Sequence, residues 1–241
     1  MHRNELQALR AAMHRRDGEA LVAALGEQVP DDVLQLVGDA LAAAAADVVP
    51  GTGELAAQCV SALRERGWRG DEELAIELDA ALGRRPPLQG KGLPVDLEEL
   101  ADVLEAGLGE EGGAIDLSTG EVWPPPAIDY ARETADDEPD FEDEERWLWV
   151  PAEGSHAGYA DMEHFIASVS DPRRAERLDR AIHGRGAFRR FKDVVSDWPE
   201  EQERWFRFSG ERRRGRARAW LSDAGYRPVA VTMRRDDEPG S

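Results

Sequence analysis

The sequence contains a single cysteine, Cys59, and only two lysines among its 30 basic residues. One cysteine excludes an internal disulfide framework and any zinc site that needs two or more thiolates. We therefore expect Cys59 to be a small buried side chain. Because arginine supplies nearly all of the positive charge, a bias typical of a GC-rich coding genome, the choice of arginine over lysine says little about function.

Long apolar runs are also absent. No stretch reaches the roughly 18 apolar residues that suggest a membrane helix, and residues 1–20 lack the apolar run of a signal peptide. We therefore expect a cytoplasmic protein that makes no contact with a membrane.

Motifs that bind nucleotides or support nucleophilic catalysis are missing as well. Gly51-Thr52-Gly53 and Gly107-Leu108-Gly109 lack the spacing and the following lysine of a phosphate-binding loop. Ser155-His156 and Asp161 include the residue types of a hydrolase triad, but no nucleophile elbow surrounds the serine. The sequence therefore predicts no cofactor and identifies no catalytic residue.

Charge is distributed unevenly over the 241 residues, whose formal net charge is −20. Residues 1–90 have a net charge of −6, residues 91–155 of −17, and residues 156–241 of +3. Binding of a polyanion depends on lysine and arginine side chains that release counterions from the phosphates. Only the last third of the chain is suited to that role.

Apolar residues recur at helical spacing through the first 85 residues, where turn signals divide them into five short helices. Residues 86–92 then have the composition of a linker, rich in proline and glycine. We predict a helical domain over 1–85, a linker over 86–92, a second domain over 93–226 and a polar tail over 227–241.

The second domain opens with an acidic amphipathic helix from Asp96, followed by two short alternating runs, 114–117 and 121–123, that indicate a β-hairpin. Residues 124–145 contain three prolines and a strongly acidic segment, so a solvated loop is expected there. Trp147–Val150 is typical of a strand that could pair with the hairpin. The remaining helices are predicted at 157–169, 172–183, 186–196, 199–208 and 211–224. The fold class is therefore α+β, mostly helical, with a small three-stranded antiparallel sheet in the C-terminal domain.

Several segments between about 93 and 226 together match the pattern of a known family. They are Val95–Leu100, Ile115–Val122, Trp147–Pro151, Tyr159 to Phe165, Gly184 to Asp193, Trp198–Glu200, Trp205-Phe206 and Ala219–Leu221. The block from Gly184 to Asp193 is the most specific of them, and the order of the others agrees with it. On these segments the chain resembles the bacterial uncharacterised protein family 0158. The resemblance implies an architecture but no reaction, cofactor or catalytic residue, and residues 1–90 lie outside it.

The strongest candidate for a binding site is the basic stretch 173–218, whose net charge is +7. Helical spacing would place basic side chains in stripes beside the apolar ones, and the run 212–218 would add another stripe. Gly184 and Gly186 would leave backbone N–H groups free at a helix N-terminus, which favours an anion. The predicted anion-binding residues are Arg173, Arg177, Arg185, Arg189, Arg190 and Lys192.

Two other interpretations of these arginines stay open. They could form a solvated surface, paired with nearby glutamates and with the acidic segment 136–145, in which each exposed pair contributes only about 0–1 kcal/mol. Alternatively, the tethered acidic segment could cover the basic helices and exclude weak competitors, which would be self-shielding.

A catalytic alternative would use His156, Asp161 and His164. Asp161 and His164 lie one helical turn apart, and a carboxylate with two imidazoles can hold a zinc or iron ion. No third spacing supports such a site, so we predict structural or solvent-facing roles for both histidines and no metal site.

The charge pattern and the helical segments are compatible with two functions. The favoured one is a regulatory or adaptor protein without enzymatic activity, which contacts an unidentified protein partner through its helical domain and acidic loop. The alternative is binding of an anion, RNA or DNA by the arginine-rich helices within 173–218.

Overall fold

The computed structural model of the protein describes residues 3–106, 112–134 and 139–229. These ranges contain eleven α-helices, one short 3-10 turn at Asp31–Val33 and five strands. The helices are α1 (Arg3–His14), α2 (Gly18–Leu25), α3 (Leu34–Ala46), α4 (Thr52–Arg66), α5 (Asp71–Ala81), α6 (Leu97–Leu104), α7 (Pro125–Thr134), α8 (His156–Ala167), α9 (Pro172–Ile182), α10 (Ala187–Val195) and α11 (Pro199–Asp223). The strands are β1 (Lys91–Leu93), β2 (Gly113–Asp116), β3 (Val122–Trp123), β4 (Trp147–Val150) and β5 (Tyr226–Pro228). No helix in the described ranges has both the length and the apolar character needed to cross a membrane.

Five α-helices occupy the described part of the first 85 residues, as the helical spacing predicted. Local signals set their ends: the Asp17 carboxylate accepts the Ala20 N–H at 2.9 Å at the start of α2. The helices enclose one apolar core, in which Cys59 is fully buried, as expected. Burial raises the pKa of its thiol to about 12, so this thiol stays neutral at physiological pH.

The predicted three-stranded antiparallel sheet is confirmed, with the strand order β3-β2-β4. Ile115 in the central strand is paired with Val122 on one side and Leu148 on the other. All residues of β2 are buried, because α6 and α11 contribute to an apolar cluster around Ile115. The α+β fold class is therefore confirmed.

The prediction of a solvated loop over 124–145 is wrong for its first half, which forms α7. Ile128 and Ala131 on this helix are buried against Phe141 and Trp147. Prolines are tolerated in the first turn of a helix, where no intrahelical N–H bond is lost. The apolar face therefore decides the structure of this segment despite its proline-rich start. Residues 135–138 of the acidic segment lie outside the described residues.

The two helices predicted at 199–208 and 211–224 form one continuous helix of 25 residues, α11. Gly210, which lies between the two predicted helices, costs only about 1 kcal/mol relative to alanine inside a helix. Packing of α11 against α3, α5, α6 and α8 outweighs that cost.

A second sheet, which the sequence did not predict, joins distant parts of the chain. Strands β1 and β5 pair in parallel, with Lys91 opposite Tyr226 and Leu93 opposite Pro228. The stretch predicted as a linker, 86–92, therefore ends in a strand, and the stretch predicted as a tail begins in one. Residues 230–241 of that tail lie outside the described residues.

A buried polar network connects α11 to the N-terminal helices. Arg218 is 1% exposed; its guanidinium donates to Gln35 Oε1 at 3.0 Å and to both oxygens of Asp39 at 2.7 Å. The Gln35 amide in turn donates to the Gly70 carbonyl at 3.0 Å and to Asp71 at 2.9 Å. A buried guanidinium is stable only when such partners satisfy it.

Glu211 forms the second connection between α11 and α3. Its carboxylate accepts the backbone N–H groups of Gln35 at 2.6 Å and Leu36 at 2.9 Å, in the first turn of α3. Arg66 also donates to this carboxylate, at 3.0 Å. The first-turn N–H groups of a helix have no intrahelical partner, so Glu211 caps α3 from another helix.

Glycine allows α11 to approach the N-terminal helices closely. A Cβ atom on Gly215 would lie 2.2 Å from the Arg69 carbonyl oxygen, and one on Gly70 would lie 2.1 Å from the Gly215 carbonyl oxygen. These distances leave no room for a side chain, so both positions must be glycine.

Two alanine substitutions in the same helix test this close approach. Gly215→Ala should lower the free energy of unfolding by about 1–3 kcal/mol, because its Cβ overlaps fixed backbone atoms. Gly210→Ala meets no atom within 4 Å, and it should raise the free energy of unfolding by about 1 kcal/mol through helix propensity. Urea unfolding followed by circular dichroism measures both. Equal effects of the two substitutions would contradict the packing described for Gly215.

Candidate functional site

The candidate site is the basic face, which we define as the exposed basic side chains of α9, α10 and the turn between them. Its members are Arg173, Arg177, Arg180, Arg185, Arg189 and Lys192. In α9, Leu178 and Ile182 are buried, so the arginines spaced three and four residues apart lie on the solvent side. The Asp171 carboxylate caps this helix by accepting the Arg173 N–H at 2.8 Å.

The turn before α10 differs from the prediction. The i, i+4, i+7 spacing of Arg185, Arg189 and Lys192 predicted one helical stripe, but α10 begins at Ala187 and Arg185 lies in the preceding turn. Gly184 and Gly186 both have positive φ, +83° and +78°. This left-handed backbone favours glycine and ends the helical path, so Arg185 projects from a turn between two helices.

The basic face holds three side chains without an ion pair among the described residues: Arg173, Arg185 and Lys192. The others have solvent-exposed partners: Arg177 with Asp197 at 2.5 Å, Arg180 with Glu176 at 3.9 Å, and Arg189 with Asp193 at 3.9 Å. Exposed pairs of this kind contribute little energy and exchange readily with an incoming anion. The basic face therefore offers up to six cations to a ligand.

Arg190 has a different environment from the rest of the predicted set. Its guanidinium donates to the carbonyls of Ala181 at 3.0 Å, His183 at 2.6 Å and Gly184 at 3.2 Å, and also to that of Arg185. Arg190 thus joins the end of α9 to the turn. Its donors are engaged inside the chain.

The arginines of 212–218 form no free basic stripe. Arg218 is buried in the network with α3, and the other four have carboxylate partners on α6, at its C-cap or on α8. A run that the sequence suggested as further basic surface is thus neutralised within the fold. The pairs are Arg212 with Asp161, Arg213 with Asp102 and Glu105, Arg214 with Glu98, and Arg216 with Asp161 and Glu105.

The acidic segment 136–145 makes no ion pair with the basic face through its described residues, 139–145. Asp140 and Asp143 instead accept backbone N–H groups of Glu142 and Glu145, each at 3.0 Å. The pairing of this segment with the arginines, one of the interpretations left open by the sequence, is thus not seen in that part of the chain. Residues 136–138 lie outside the described residues.

The histidine cluster does not assemble into a site. Asp161 is 1% exposed, and its two carboxylate oxygens accept from Arg212 at 2.6 Å and Arg216 at 2.8 Å. His164 lies on the exposed side, with Nδ1 2.7 Å from the Ala160 carbonyl oxygen. In the part of the chain that the structure describes, no group of three or more His, Cys, Asp or Glu side chains is placed to hold a metal ion.

Most aromatic side chains near the basic face pack in the core. Phe165, Phe191 and Trp205 contact one another edge to face, with ring centroids 4.7 to 6.1 Å apart. Phe188 on α10 is 36% exposed. Stacking of nucleic-acid bases therefore has less support here than contact with phosphates.

Comparison with known proteins relates the C-terminal part of the chain to one family. Residues 127–237 match the model of Uncharacterised protein family (UPF0158). A UPF0158 protein of Pseudomonas aeruginosa is 29% identical over 145 residues, which correspond to 57% of this chain and 88% of that relative. No solved structure matches the chain. These matches confirm the predicted resemblance, although the family model begins at 127 rather than near 93.

Adjacent arginines on α10 provide a matched test of the role of Arg190. Arg190→Ala removes donors to four carbonyls and should lower the free energy of unfolding by about 1–3 kcal/mol. Arg189→Ala should change it by less than about 0.5 kcal/mol, because the Arg189 side chain is 90% exposed. Chemical unfolding of both variants checks the difference. An equally large loss of unfolding free energy in the Arg189 variant would show that the stability of α10 depends on its positive charge rather than on the Arg190 contacts.

Proposed function

We propose that this chain, whose residues 127–237 match the UPF0158 family model, is a non-enzymatic binding protein that holds the phosphate backbone of a nucleic acid on its basic face. The observation that carries the proposal is the contrast between two arginine groups. The run 212–218 is paired internally, whereas Arg173, Arg185 and Lys192 have no carboxylate partner among the described residues.

The charge of the whole chain makes this contrast informative. A molecule with a net charge of −20 repels polyanions on average. Six exposed cations on two adjacent helices and their turn create a local attraction, and phosphate contacts by lysine and arginine dominate non-specific binding. We therefore expect binding that depends strongly on salt and weakly on base sequence. We expect it to occur in the cytoplasm, the compartment that the amino-acid sequence predicts.

The adaptor function that the sequence favoured needs a docking surface for a protein partner. The sequence assigned that docking surface to the N-terminal helices. Part of their surface is covered, because α3 and α5 pack against α11. That function stays a proposal with less structural support than the basic face.

The test is a titration of the full chain with fluorescein-labelled single-stranded RNA and double-stranded DNA at two salt concentrations. The triple variant Arg173→Ala, Arg185→Ala, Lys192→Ala should weaken binding at least tenfold. It should also reduce the slope of log affinity against log salt by about 2–3, roughly one for each lost phosphate contact.

The matched control is Arg15→Ala, Arg69→Ala, Arg85→Ala, which removes three exposed arginines from the N-terminal region. This control should leave the affinity within about twofold of the unsubstituted chain, because non-specific affinity depends on the cations at the contact. Absence of binding at low salt, or equal loss in the two triple variants, would refute the proposal.

A further inference from the structure

A second surface of opposite charge lies between α6, β3 and the start of α7. It is a cavity of about 770 Å³, within the size range of pockets that hold small ligands or short peptide segments. Val103, Val122 and the prolines at 124–126 line it, together with three carboxylates. We call this surface the acidic groove; its carboxylates are Glu99, Asp102 and Asp129.

The carboxylates of the acidic groove are incompletely neutralised. The Glu99 carboxylate has no hydrogen bond or ion pair among the described residues, and partial burial together with the nearby charges of Asp96, Asp102 and Glu121 raises its pKa. Asp102 shares Arg213 with Glu105, and Asp129 lies 4.0 Å from Arg132. The groove therefore presents negative charge beside an apolar wall.

We propose that the acidic groove binds an arginine side chain in an extended segment of another protein. An arginine combines an aliphatic stem, which covers apolar surface, with a planar guanidinium that donates several hydrogen bonds to carboxylates. The valines and prolines suit the stem, and the carboxylates suit the guanidinium. Charge complementarity thus identifies the class of occupant.

The acidic groove is independent of the basic face. The arginines of α9 and α10 form their ion pairs with α9, α10, Asp197 and the start of α11, and the free cations of the basic face contact no groove carboxylate among the described residues. A second copy of this chain could also supply an exposed arginine to the groove, so the experiment below includes a test of self-association.

The test uses the full chain, labelled with ¹⁵N, and the capped peptide Ala-Arg-Ala-Ala-Arg-Ala. The peptide should bind saturably and shift the backbone amides of Val103 and Val122. Glu99→Gln should weaken the peptide about tenfold, because a charge-assisted contact is lost. A peptide with citrulline in place of arginine, which has the same shape without the charge, should bind at least tenfold more weakly.

The control variant is Glu144→Gln, an exposed carboxylate of the acidic segment that does not line the groove. It removes the same charge and should leave the affinity within twofold. The assignment is overturned by absence of saturable binding, by shifts elsewhere, or by equal loss in the two variants. Self-association without peptide that Glu99→Gln abolishes would also overturn it in favour of a second copy.

Discussion

The burial of charge along α11 is the constraint on which the rest of the structure depends. Arg218 and Glu211 lie in the interior, and each is satisfied by groups of α3 or by side chains close to it. A single unpaired charge at this depth would cost several kcal/mol, so α11 and the N-terminal helices must stay together. Because Gly215 and Gly70 have no side chains, α11 and the N-terminal helices approach closely enough to bring these groups within hydrogen-bonding distance.

The burial of charge along α11 also distinguishes the arginines of 212–218 from those of the basic face. Because α11 lies among α3, α6 and α8, its arginines meet carboxylates on every side. The helices α9 and α10 bury only one apolar side each and leave the members of the basic face in solvent. A charge count over 173–218 combines these groups, although only the second is accessible to a ligand. The proposed functions follow from this separation: a basic face for phosphates and an acidic groove for arginine.

Local patterns predicted much of the fold. The five N-terminal helices and the antiparallel sheet follow from apolar spacing and turn signals within short windows. The helix α7 and the continuity of α11 were missed, because Phe141 and α6 supply the deciding contacts from elsewhere in the chain. At the site, exposure of Arg173 and Lys192 follows from helical spacing. The engagement of Arg190 and of 212–218 does not, since Arg214 and its partner Glu98 are 116 residues apart.

Differential scanning calorimetry of the full chain tests most directly whether the buried charges of α11 make the N-terminal helices and the C-terminal part unfold together. We predict one transition, with equal calorimetric and van't Hoff enthalpies, because the buried network cannot break on one side alone. Two resolved transitions, in which the N-terminal helices unfold separately from the C-terminal part, would contradict this dependence on α11.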